Sequence, residues 1–229
     1  MSVAITVLSE VNMDLFETFR ARRSVRAFRD EPVPRDLLER ILSEASRAPS
    51  AINMQPWEVH VVIGEERKRL SRRLLKAFRE RAVSCGPGAA GVLPKRYIDR
   101  GRECADLMMP LLARMGSDFR TFINEGSLDF YAAPAVSLVF LDDSFPPDRM
   151  ADVGLFTAFL LLAATAEGLA SCPIGMVRAY EDDLKDHLNI PESKQLVVAV
   201  ALGYADDTAP INEFRSPRAD LKEFVRWID

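Results

Sequence analysis

The sequence has little of what metal sites and disulfide scaffolds are made from. It has two histidines, His60 and His187, in separate parts of the chain, and three cysteines, Cys85, Cys104 and Cys172, with no C-x-x-C pair. An odd, dispersed cysteine set favours neither a disulfide framework nor a zinc site, and no metal is expected. Basic charge is not in excess: 30 Lys and Arg stand against 34 Asp and Glu, for a formal charge of -4 and a pI near 5.4. That balance lacks the electrostatic footprint of a nucleic-acid binder, in spite of a basic stretch from Arg67 to Arg81. Long apolar runs are missing too. The longest, near Leu155 to Ala166, lies between Asp152 and Glu167 and is too short to span a bilayer. Met1 to Asn12 has an apolar stretch but neither a basic start nor a small-residue cleavage pattern, so it does not read as a signal peptide. These absences point to a cytoplasmic protein with no membrane and no nucleic-acid partner.

Several catalytic signatures are absent as well. There is no Walker-type loop, no G-x-S-x-G and no H-E-x-x-H. Gly86-Pro87-Gly88-Ala89-Ala90-Gly91 does match G-x-G-x-x-G letter for letter. A dinucleotide fingerprint needs a strand before it and a helix opening from it. Here a basic helical pattern precedes, Val92-Leu93-Pro94 follows, and Pro87 removes one N–H from the cradle, so the context favours an ordinary loop.

What is present is the balance of a globular chain: 229 residues, 48% hydrophobic and 28% charged, a size for which one domain is the default. Asp14 to Arg23 reads as a helix with Leu15, Phe16 and Phe19 on one side. Arg35 to Ala48 is a second, with Leu37, Leu38, Ile41, Leu42 and Ala45 at helical spacing, opened by Pro34 and stopped by Pro49. Trp57 to Ile63 is a valine-rich strand, and Glu65 to Arg81 a basic amphipathic helix. Ser84 to Pro94 reads as a loop, Lys95 to Met115 as a helix interrupted by Pro110, and Asp118 to Glu125 as a shorter helix. Pro134 to Leu141 is a strongly apolar strand. Arg149 to Gly168 is a helix apolar nearly all round, as a central buried helix would be. Ser171 to Val177 is a short strand or turn, Tyr180 to Leu188 a surface helix, and Leu196 to Tyr204 a strand suited to the middle of a sheet. From Pro210 the tail carries isolated apolar residues without a core of its own, and should pack on its own body or on a partner subunit. Helices and strands mix without strict alternation, so the class is α+β.

Four segments can carry chemistry. Arg22-Arg23-Ser24-Val25-Arg26 packs three guanidiniums and a hydroxyl into five residues. Guanidinium donors match phosphate oxygens, although cations at a helix C-terminus are also favoured by the helix dipole alone. Pro49-Ser50-Ala51-Ile52-Asn53-Met54-Gln55-Pro56-Trp57 offers a hydroxyl and two amides suited to a heterocycle edge, or is an ordinary polar connection. In Cys172-Pro173-Ile174-Gly175-Met176 the glycine allows close approach of a flat ligand, or makes a tight turn. Arg215 and Arg218 put cations in the tail.

In this combination and order, with Gly168-Leu169-Ala170-Ser171 before the third segment and Leu202-Gly203-Tyr204 before the tail, the chain resembles the FMN-dependent nitroreductase superfamily from about Asp14 to Trp227. The resemblance implies one domain over residues 1–229: an α+β sandwich with a central, mostly antiparallel sheet flanked by helices. It also implies a variable cap at about 84–130, and a homodimer in which the tail at about 210–229 is exchanged. FMN would lie at the dimer interface, with NAD(P)H as co-substrate. Arg22, Arg23 and Ser24 match positions around the FMN phosphate and ribityl chain, and Arg26 the cation near the flavin pyrimidine. Pro49, Ser50, Ala51, Asn53 and Gln55 match a segment touching flavin, partly from the other subunit. Pro173, Ile174 and Gly175 match the segment facing the ring, with an N–H near N5. Arg215 and Arg218 match the basic tail reaching the phosphate, and Arg218 fits the spacing better. An Asn and a Lys that some members carry after the first strand have no clear match here. The implied reaction is ping-pong hydride transfer from NAD(P)H through flavin N5 to a nitroaromatic, quinone or similar flat oxidised substrate, with no catalytic side chain required. Tyr97, Phe130 and Tyr131, in the cap, are candidates for stacking on that substrate. A reductive dehalogenase or enone reductase of the same superfamily, or a non-catalytic flavin-binding protein, are the alternatives.

Overall fold

The computed structural model describes residues 13–83 and 93–229. The G-x-G-x-x-G match, Cys85, nearly all of the loop expected over Ser84 to Pro94, and the stretch Met1 to Asn12 lie outside the described residues.

Local rules account for most element boundaries. Helix α1 (Leu15–Ala21) opens on a capping box: the Asp14 carboxylate accepts from the backbone of Phe16 and Glu17, and Glu17 reaches back to the Asp14 N–H. Helix α2 (Arg35–Ala45) follows Pro34 and stops three residues short of the expected Ala48. Pro49 disfavours helical backbone at Ala48, and the last turn tightens into an Ala48 N–H to Ala45 carbonyl bond. Strand β1 (Trp57–Ile63) runs into helix α3 (Gly64–Arg81) through Gly64, whose φ of +59° suits glycine.

Helix α4 (Lys95–Arg114) is continuous, so the interruption expected at Pro110 does not occur. Proline deletes one bond to the Asp106 carbonyl, and that turn faces solvent, where water can replace the lost donor. Helix α5 (Phe119–Leu128) leads to β2 (Ala135–Asp142). Then come α6 (Met150–Ala166), β3 (Ala170–Ile174), α7 (Glu181–Leu188) and β4 (Lys194–Gly203).

The four strands form one antiparallel sheet in the order β1-β2-β4-β3. Its two central strands are covered on both faces. Val136, Leu138, Phe140, Ala199 and Ala201 point into a layer with α3, α5 and α7. Ala135, Val139, Leu141, Val200 and Leu202 point into a layer with α2 and α6. Burial on both faces explains why β2 and β4 read as continuous apolar runs. Gly203 lets these layers close: a Cβ there would lie 2.6 Å from the Pro134 ring and 3.1 Å from Phe28.

Helix α6 corrects the expectation of a helix enclosed on all sides. It buries Val153, Phe156, Leu160 and Ala164, while Ala151, Gly154, Leu155, Ala158 and Phe159 on the opposite side are exposed. Its apolar stretch, counted from Pro147 to Ala166, is long and apolar enough to cross a membrane, so length does not exclude that, contrary to expectation. Its packing on α2 and the sheet makes it a layer of this fold.

The tail folds back on its own body first. Ile211 is buried against Met108 and Leu112 of α4, and Glu213 receives both terminal nitrogens of Arg114 at 2.7 and 2.8 Å. Arg100 pairs with Glu223 at 2.7 Å. Beyond that point Phe224, Trp227 and Ile228 are exposed.

Candidate active site

The arginine segment is laid along one edge of the sheet. Ser24 bridges Ser171 of β3, with Val25 N–H donating to the Ser171 carbonyl at 3.0 Å. Phe28 bridges Ala205, and Arg29 N–H donates to the Tyr204 carbonyl at 2.9 Å. Asn212, buried in the tail, locks this arrangement. It accepts from Arg26 N–H at 3.0 Å and donates to the carbonyls of Ala27 and Asp206 at 2.8 and 2.9 Å. Nothing local in the sequence marks Asn212 for that part.

This edge collects unbalanced positive charge. Burial and the nearby Arg215 guanidinium hold Arg23 below its usual range, partly offset by Asp207 at 3.6 Å. The Nε groups of Arg23 and Arg26 are buried and have no hydrogen-bond partner. Buried donors are nearly always paired in folded proteins, so the orphan on Arg23, beside the Arg215 guanidinium, marks a place for an anion. A cavity of about 200 Å³ opens beside Arg23, lined also by Ala21, Val25, Gly168, Ser171 and Asp207.

Arg26 continues inward to a small buried cluster. Its guanidinium lies 5.9 Å from the centre of the Tyr131 ring. Burial pushes the Tyr131 phenol up, and the neighbouring Cys172 adds to the shift. Burial likewise pushes up the Cys172 thiol, against the opposing effects of Arg26, Ser24 and Arg22. The Tyr131 hydroxyl sits 3.2 Å from Ser127 Oγ. Phe130, Tyr131 and Ala132 all have positive φ, and the turn presses the Tyr131 ring to within 2.7 Å of where a Gly126 Cβ would stand. The same turn sends Phe130 fully into the core, away from the surface where stacking on a substrate was expected of it. Tyr97 is exposed on α4, flanked by Arg96 and Arg100 at 4.7 and 5.8 Å.

The tail cations separate. Arg215 stands beside Arg23, with its Nη1 on the carbonyls of Asn212 and Phe214. Arg218 turns onto Ser216 and Pro217 and lines a groove with Arg96 and Arg100. Of the two tail cations it is thus Arg215, and not Arg218 as the spacing favoured, that lies beside Arg23. Pro173 and Ile174 belong to β3, next to the arginine segment, and Gly175 is exposed with open space where a side chain would be.

Pro49 to Gln55 is not brought to this edge. It leads into β1, the outer strand on the far side, three inter-strand spacings or about 14 Å from β3. It forms a compact curl. Gln55 N–H donates to Ser50 Oγ at 2.9 Å, Asn53 N–H to the Ser50 carbonyl at 3.0 Å, and the Gln55 amide to Asn53. Ile52, Asn53 and Gln55 have φ of 43°, 60° and 48°, a left-handed region costly for side chains other than glycine. Asp152, buried at the start of α6, accepts from Ala51 N–H at 3.3 Å. Ile52 stands out from the surface, 91% exposed.

Comparison with known proteins agrees with this geometry. Over 213 residues the chain is 37% identical to nitroreductase NfnB of Mycolicibacterium smegmatis, covering 91% of this chain and 90% of that one. It is 30% identical to a 4-nitrobenzoate reductase of Pseudomonas putida, covering 91% and 92%. The crystal structure of the FMN-dependent nitroreductase NfnB from Mycobacterium smegmatis in complex with NADPH superimposes with a TM-score of 0.83 at 34% identity, covering 94% of this chain and all of that one. The sequence pattern of the Nitroreductase family matches residues 19–204, from the last turns of α1 to the end of β4. With the segment Arg22–Arg26, the strained curl and the antiparallel sheet all inside that span, the chain belongs to the nitroreductase family.

Proposed function

We propose that this chain is an FMN-dependent oxidoreductase, working as a homodimer, that carries hydride from NAD(P)H to a nitroaromatic, quinone or similar flat oxidised substrate. One observation carries the proposal: Arg23 and Arg215 stand together at one edge, and the buried Nε of Arg23 has no hydrogen-bond partner. A phosphate supplies both the balancing charge for these two guanidiniums and the acceptor that Arg23 lacks. Among phosphorylated ligands, FMN and a nicotinamide are favoured by the relative described as FMN-dependent and bound to NADPH.

Bound here, the flavin would supply the redox chemistry of hydride transfer between a nicotinamide and the second substrate. The chain's residues bind and orient. Arg22, Arg23, Ser24 and Arg215 hold the phosphate and ribityl chain. Arg26 sets a permanent cation beside the pyrimidine, where negative charge develops on reduction. Pro173, Ile174 and Gly175 form a wall against the ring, with open space at Gly175. The cap helices α4 and α5, with Tyr97 exposed on the former, select the substrate.

Two separated half-sites support the homodimer. Pro49, Ser50, Ala51, Asn53 and Gln55 lie at the opposite edge from the arginines, and α6, about 25 Å long, runs between the edges. Its N-terminus holds the curl through Asp152, and Thr165 near its C-terminus lines the arginine cavity. Two copies packed along the exposed side of α6 in opposite directions bring the curl of each to the arginines of the other. The exposed Leu15, Phe16 and Phe19 of α1 extend that apolar surface.

An absorbance spectrum of the purified protein, then anaerobic titration with NADH and NADPH, tests the proposal. Flavin bands bleached by a nicotinamide and restored by a nitroaromatic or a quinone are expected. A colourless protein that takes up no added FMN overturns it.

A further inference from the structure

We propose that Asp152 is a positioning residue for the curl Ala51–Gln55, holding it in the form that reaches the flavin of the other subunit. The inference rests on the role proposed above for that curl. The curl's own hydrogen bonds shape it but do not aim it, because Ser50, Asn53 and Gln55 bond to one another and Met54 N–H donates to the Ala51 carbonyl. Among the described residues, the hydrogen bond that ties it to the body is Ala51 N–H to Asp152 Oδ2.

The carboxylate is set up for that task. It is 7% exposed, in the first turn of α6, where an acidic residue is favoured by the helix dipole alone. Yet no side chain caps α6. Oδ2 instead takes the Ala51 N–H and, at 3.2 Å, Nη1 of Arg149, which orients the carboxylate. Asp152 therefore joins the helix of the proposed subunit contact to a backbone with three left-handed residues, Ile52, Asn53 and Gln55. Such a backbone persists only where its surroundings hold it.

The test compares FMN affinity and hydrogen exchange in dimeric protein, with sedimentation confirming the dimer. Asp152→Ala is expected to weaken FMN about tenfold, the scale of a hydrogen bond to a charged group. It should also speed exchange over Ala51–Gln55 while β2 and β4 keep their protection. Asp152→Asn, whose amide oxygen still accepts, should restore most of both. A dipole role predicts the reverse, equal loss in Asn and Ala. Ala51→Pro removes the donor from the other end, and the Ser50 backbone, with φ -143° and ψ 157°, tolerates a following proline. The double variant Asp152→Ala/Ala51→Pro should lose no more than the worse single one; multiplying losses overturn the proposal. Ala51→Pro leaves the buried pair with Arg149 intact, so it carries the test even if Asp152→Ala fails to fold. Unchanged exchange at the curl then overturns the inference. Wild-type protein that binds no FMN overturns the proposed function, while exchange at the curl still tests the Asp152 contact.

Discussion

Arg23 and Arg215 stand together at one edge of the sheet, and burial together with the charge of Arg215 lowers the pKa of Arg23. Without an anion this pairing is unfavourable; with one it is a binding site. Arg215→Gln should therefore leave the thermal midpoint of the ligand-free protein unchanged or raised. FMN affinity should fall about tenfold, the worth of a charge-assisted hydrogen bond. Riboflavin, which has no phosphate, is the control in a fluorescence titration: an equal loss for both flavins would sink the phosphate assignment.

The exposed side of α6 predicts the assembly. Leu155→Arg or Phe159→Asp places a charge on a surface that is otherwise Ala151, Gly154 and Ala158. Sedimentation should show single subunits, and flavin should be lost with the dimer. A dimer of unchanged stability in both variants would mean that another surface is used.

Acid stability is expected to depend on Asp142. The Ser144 hydroxyl and backbone N–H, and then Lys194, hold its carboxylate at about 2, below the ordinary 3.8. A depressed folded-state value means that the contribution is complete above about pH 4 and fades as the pH falls through about 2. Asp142→Asn should be less stable than wild type at neutral pH, and the gap should close toward pH 2. Urea unfolding across that range measures it, and a constant gap contradicts the assignment.

Gly203→Ala should cost about 1–3 kcal/mol, the usual penalty for overpacking a tight core. The new Cβ meets the Pro134 ring, which cannot swing away, and Phe28 beyond it. Because Phe28 belongs to the arginine segment, FMN binding should weaken in parallel. Chemical denaturation reads the first effect and flavin titration the second.

Nearly every element was legible because its signals are local. Asp14 with Glu17, Pro34 before α2, and the valines of β1 each act within a few residues. The arginine segment and the curl were legible as chemistry but not as two places, since their separation depends on strand order. Pro110 misled because a local rule yielded to a solvent-facing turn. The apolar girth of α6 was visible, but composition cannot say whether a second face meets its own domain or another copy. Arg215 and Arg218 are the same residue type, and only the path after Glu213 decides between them. Asp152 and Asn212 left no trace, because their bonding partners lie 101 and 185 residues away.

The placement of the curl and the arginines on opposite edges has a genetic consequence. In the proposed dimer, a subunit crippled at Arg23 still lends a sound curl, and one crippled at Ser50 and Asn53 still lends sound arginines. Co-expressed, two alleles that are each inactive alone should complement, because every mixed pair contains one undamaged centre and one damaged twice over.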